Sequence, residues 1–188
     1  MAEVRRRTTH ALIAGLLLAL GLGLGGPAGA ANEAPAAGLY DRPVLVVDPG
    51  AHTAMINRLD ADRAGRFLVT ASDDKTVRVW AAGDGKLLQT LRLPAGPGDV
   101  GKAYAAAVSP DGALVAAGGW TARAAGDESV YLFDRVSGRL LRRVGGLLHT
   151  VNHLAFSPDG TRLAAALWSK GVRLIDPAAG RVVAADEG

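Results

Sequence analysis

Val151-Asn152-His153-Leu154-Ala155-Phe156-Ser157-Pro158-Asp159-Gly160 restates, 48 residues on, Ala103-Tyr104-Ala105-Ala106-Ala107-Val108-Ser109-Pro110-Asp111-Gly112. Each is a short apolar-rich run closed by Ser-Pro-Asp-Gly. Proline presets φ at the second position of a turn, and the glycine can take the left-handed conformation that closes a hairpin. A more degenerate copy, INRLDADRAG, runs from Ile56 to Gly65, and Gly65 stands 47 residues before Gly112.

Working outward from the three glycines, the same order of segments follows each time. An apolar run comes first: RFLVTAS, ALVAAGG and TRLAAAL. A second run ends in a large residue: TVRVW, SVYLF and GVRLI. A turn glycine then introduces a last short run: DGKLLQTL, SGRLLRRV and AGRVVAA. Alternating, β-branched stretches such as Thr76–Trp80 predict strands. Four short strands in a unit of 47 to 48 residues predict β-propeller blades. The expectation is therefore an all-β fold of about three blades, near 51–93, 99–145 and 147–188. Val44–Val47 is read as a closing strand, so that the whole propeller portion spans 44–188.

Ala71-Ser72-Asp73-Asp74-Lys75-Thr76-Val77-Arg78-Val79-Trp80, preceded by Ala51-His52, resembles a WD40-repeat blade. The family pattern has Gly-His before the first strand and Asp after the tryptophan; here Ala51 and Ala81 stand instead. The resemblance implies a structural tetrad of His52, Thr70, Asp74 and Trp80. Buried imidazole, hydroxyl and indole groups each need a hydrogen-bond partner, and one carboxylate can orient such a set. The second unit has Phe133 at the tryptophan position, with Asp127 as its acid. The third has Ile175 there, with His149 as a candidate loop histidine. Ser-Pro-Asp-Gly turns also occur in export-associated propellers of the TolB type.

The first thirty residues read as a signal peptide. Arg5, Arg6 and Arg7 precede an apolar stretch from Ala11 to Leu24, and Ala28-Gly29-Ala30 follows, matching the three parts of a secretory leader. Fourteen apolar residues fall short of the roughly 20 that span a bilayer, so membrane attachment is expected only through an uncleaved leader. Residues 31–43, rich in Ala and Pro, read as a linker. Together these features predict a bacterial protein that is periplasmic or secreted.

Of 188 residues, 49% are hydrophobic and none is cysteine. A thiol nucleophile, a disulfide framework and a Cys-ligated metal are thereby excluded. Outside residues 1–30, 18 Lys and Arg face 17 Asp and Glu, so charge gives no reason to expect nucleic acid. His149 and His153 lack the helix and third ligand that a metal site with that spacing needs. No phosphate loop or nucleophile elbow is present, and neither a catalytic residue, a metal nor a cofactor is expected.

Trp120 and Trp168 each lie eight residues after their turn glycine, and Asp73 holds that offset in the first unit. With Arg123 they form a candidate partner-binding face, aromatics and arginine being enriched at interface hot spots; the alternative is that each tryptophan packs under its own loop. The expected function is a non-enzymatic protein-interaction scaffold with an unknown protein partner. The alternatives are part of a hydrolase-like propeller enzyme, or a regulatory propeller like those joined to caspase-like peptidase domains. Three blades are fewer than the four to eight of closed propellers. The chain is therefore expected to be a fragment of a longer protein or a half-propeller that self-associates through its open blade edges.

Overall fold

Hydrophobic alternation sets which side of each strand meets a neighbour. In the computed structural model, which describes residues 48–122, 124 and 126–187, that alternation builds twelve strands among the described residues. The first sheet contains β1 (Ile56–Ala61), β2 (Phe67–Ser72), β3 (Thr76–Ala81) and β4 (Leu87–Arg92). The second contains β5 (Ala103–Val108), β6 (Leu114–Gly119), β7 (Glu128–Asp134) and β8 (Leu140–Leu147). The third contains β9 (Val151–Phe156), β10 (Leu163–Leu167), β11 (Val172–Asp176) and β12 (Arg181–Asp186). Strands neighbour one another in chain order within each sheet, and the pairings are antiparallel. Three four-stranded meanders of this kind are propeller blades. The expected leader (1–30), linker (31–43) and closing strand (44–47) lie outside the described residues.

The turns explain the spacing. Gly112 and Gly160 have φ of 72° and 74°, the left-handed region that other residues rarely enter. Ser109 Oγ donates to Asp111 Oδ1 at 2.6 Å and accepts from the Leu114 amide at 2.9 Å. Ser157 does the same with Asp159 and Arg162, at 2.5 and 2.9 Å. Both serines and both carboxylates are used within their own turns.

Two apolar layers join the blades. Val69, Ala71, Val77 and Val79 of the first blade pack on Ala106, Val108, Val115, Ala117, Tyr131 and Phe133 of the second. The opposite side of the second blade, with Ala105, Ala107, Ala116, Val130 and Leu132, packs on Val151, Leu154, Leu163, Ala165 and Ile175 of the third. The middle blade is thus buried on both sides, which accounts for its Ala-rich strands. The innermost strands lie side by side, β1 next to β5 and β5 next to β9.

Candidate functional site

Thr70 on β2 and Trp80 on β3 project from the side of the first blade that faces away from the second. Register places Leu68 opposite Trp80 and Thr70 opposite Arg78. His52 comes from the segment before β1, and Asp74 from the tight β2–β3 turn. The structure brings all four into one chain of hydrogen bonds. His52 Nδ1 lies 2.8 Å from Asp74 Oδ2, His52 Nε2 lies 2.7 Å from Thr70 Oγ1, and Trp80 Nε1 donates to Thr70 Oγ1 at 2.9 Å. A carboxylate only accepts, so Nδ1 carries the hydrogen; the Thr70 hydroxyl then donates to Nε2 while accepting from the indole. Burial pushes the Asp74 carboxyl upward, but the Thr76 hydroxyl, His52 and the Thr53 amide outweigh it and hold the group below the usual carboxylate range.

The second and third blades lack this chain. Asp127, read as the acid of the second blade, is exposed and pairs with Arg143 at 3.3 Å. The buried carboxylate there is its neighbour Glu128, which accepts from the Thr121 amide and hydroxyl at 2.5 and 2.8 Å. His149 accepts from the Thr150 amide at 2.8 Å. Among the described residues no group of three or more His, Cys, Asp or Glu side chains is placed to hold a metal ion.

A second constellation lies at the ends of the inner strands remote from the Ser-Pro-Asp-Gly turns. In all three blades the pairing of the inner strand skips one residue: Asn57 in β1, Tyr104 in β5 and Asn152 in β9. Each stands eight residues before its turn glycine, so the repeat carries the bulge with it. Bulges re-aim a side chain and favour sites next to function. Asn57, Tyr104 and Asn152, with Arg58 and Trp168, line one cavity of about 240 Å³. Arg58 donates from Nη2 to the Asn152 carbonyl at 3.2 Å, its Nε is buried without a partner, and no carboxylate among the described residues pairs with it.

Of the expected partner face, Asp73 and Trp168 come to this end of the blades. Asp73 accepts from Asn57 Nδ2 at 2.7 Å and pairs with Lys102 at 3.2 Å. Asp99 and Asp73 together hold the Lys102 ammonium well above the ordinary lysine range. The Trp120 amide donates to the Lys102 carbonyl, and its side chain lines a smaller cavity with Leu148, His149 and Thr150. Arg123 lies outside the described residues. Arg58 and the bulged residues were missed in the sequence; their common offset from the turn glycine was the available signal.

The fold defines a class: the described blades are four-stranded meanders like those of WD40-type propellers. The family model "WD domain, G-beta repeat" matches residues 44–81 and 142–176. Eukaryotic translation initiation factor 3 subunit I of Aspergillus fumigatus is 30% identical over 124 residues, covering 66% of this chain and 32% of that protein. Small ribosomal subunit protein RACK1y of Oryza sativa subsp. japonica is 33% identical over 119 residues, covering 61% of this chain and 31% of that protein. The chain thus spans about a third of the length of these curated relatives. They are eukaryotic proteins of the translation machinery, which works in the cytoplasm. This overturns the expected periplasmic or secreted location and gives no support to a bacterial, exported or caspase-like setting.

Proposed function

We propose that the chain is a non-enzymatic scaffold that holds a protein partner at the end of its blades where the three inner strands bulge. The observation that carries the reading is the equivalence of Asn57, Tyr104 and Asn152: one irregularity, repeated in every blade, directs three side chains to one cavity beside an uncompensated arginine. A half-buried cation without a counter-charge is costly to keep. A carboxylate presented by a partner would compensate Arg58, and exposed Trp168 and Trp120 supply the apolar contact that such hot spots use. Asp73, paired with Lys102, borders the same surface. In this reading the hydrogen-bonded set of His52, Thr70, Asp74 and Trp80 has a structural role and stays out of the contact.

The test is selection of peptides from a random displayed library on the immobilised chain. Enriched peptides are expected to carry Asp or Glu. Arg58→Gln should weaken them about tenfold or more, the worth of a hydrogen bond to a charged group, with an unchanged melt. Trp168→Ala should weaken them too. Peptides that bind wild type and both variants alike would move the contact elsewhere, and no enrichment at all would sink the reading.

A further inference from the structure

We propose that the loop between β6 and β7 builds a second pocket, which takes the ammonium of a lysine side chain presented by a partner protein. The observations behind it are separate from those for the Arg58 cavity, with Trp120 the one residue in common. The repeat register shows where blade two departs from its neighbours. Val77, Val130 and Val172 are equivalent strand positions, and they stand 12, 18 and 12 residues after their turn glycines. Blade two therefore carries six extra residues in this loop, and loops on a rigid scaffold are where binding residues collect. Two residues before the three valines stand Lys75, Glu128 and Lys170. Where the flanking blades have a cation, blade two has a carboxylate.

Glu128 is only 4% exposed, and one of its oxygens is already committed. The hydrogen bonds it accepts among the described residues both fall on Oε2, from the Thr121 amide at 2.5 Å and the Thr121 hydroxyl at 2.8 Å. Thr121 Oγ1 accepts in turn from the Ser129 amide at 2.8 Å, which fixes the orientation. Among the described residues no Lys, Arg or His pairs with Glu128, and Arg143 goes to Asp127 instead. A buried carboxylate held only by neutral donors lacks a counter-charge. Glu128 lines a cavity of about 110 Å³ with Trp120, Ala122, Leu148, His149 and Thr150, roughly the share of three or four waters. His149 brings no charge of its own, since its Nδ1 accepts from the Thr150 amide. A lysine stem would lie along Leu148 and Trp120, 47% and 41% exposed, while its ammonium meets Glu128 Oε1. The indole face attracts the same charge. Arginine fits less well, because its planar fork uses two carboxylate oxygens and Thr121 has taken one.

The experiment titrates the isotope-labelled full chain with an end-blocked Gly-Ser-Lys-Ser-Gly peptide and follows its amide and indole N–H resonances. The Trp120 indole and the Thr121 and Ser129 amides should shift saturably. Glu128→Gln should weaken the peptide about tenfold, the worth of a hydrogen bond to a charged group, and Trp120→Leu about threefold, the worth of an exposed cation–π contact. Glutamine keeps an oxygen for Thr121, so Glu128→Gln should melt as wild type does; if it does not, Trp120→Leu still reads the pocket from an exposed position. The same peptide with arginine should bind more weakly, and with ε-acetyl-lysine not at all. On Arg58→Gln the lysine peptide should bind as to wild type, which separates failure of this pocket from failure of the Arg58 cavity. Absence of shifts at the three signals, acetyl-lysine or arginine binding as tightly as lysine, or full affinity on either pocket variant would each overturn the proposal.

Discussion

Thr70 Oγ1 is the atom on which the first blade's polar chain turns, since it accepts from Trp80 Nε1 at 2.9 Å and meets His52 Nε2 at 2.7 Å. Thr70→Val keeps the shape and removes the oxygen, leaving two nitrogens without a partner in a buried setting. An orphaned buried polar group costs about 1–3 kcal/mol, so this variant should lose about 2–3 kcal/mol. Trp80→Phe removes a donor but strands no nitrogen, since Thr70 keeps His52; it should lose less. Urea unfolding of the two single variants and the double variant checks this: the losses should fall short of adding, because both act on one network. Equal losses, or full additivity, would mean the chain of hydrogen bonds does not behave as a unit. The residue types of this set were legible in His52 and in the run from Thr70 to Trp80. Arg58 was not, because its lack of a counter-charge arises only when three inner strands come together.

At the scale of elements, the turns and strands were legible because Ser-Pro-Asp-Gly and period-two alternation are local signals. The bulges were not, since skipping one residue leaves composition and alternation nearly unchanged. Junction tightness was equally hidden. A Cβ built on Gly118 of β6 would stand 2.9 Å from Val151 Cβ on β9, closer than carbon atoms approach. Gly118 is the small residue that lets the third blade's inner strand close on the second, and Ala71 holds that place in the first blade. Gly118→Val should therefore destabilise by about 1–3 kcal/mol, the usual range for overpacking. Gly83, where an added Cβ meets nothing within 4 Å, is the control: Gly83→Ala should stay within about 0.5 kcal/mol of wild type. A neutral Gly118→Val would show that the blades separate easily, and the tight junction would lose its place in the stability of the fold.

At the scale of the whole molecule, the blades share one response to acid. Carboxylates in all three are held below their ordinary range: Asp74 in the first blade, Asp111 and Asp134 in the second, and Asp159 and Asp176 in the third. The clearest is Asp159, brought down to about 2 by the Ser157 hydroxyl and the amide and hydroxyl of Thr161. A carboxyl depressed in the folded state binds its proton more readily when unfolded. Its contribution is therefore fully present above the unfolded value of 3.8 and disappears as pH falls through the folded one. The urea midpoint should accordingly stay level from about pH 5 to 8, then fall between 3.8 and 2. Because the depressed groups sit mainly in turns, one per blade or more, the fall should be gradual and not tied to a single residue. Asp159→Asn should flatten part of that slope while leaving the neutral-pH melt cooperative. A midpoint that rises on acidification would mean that these turn carboxylates repel more than they bind, and the hydrogen-bonded turns would lose their claim to set the blade spacing.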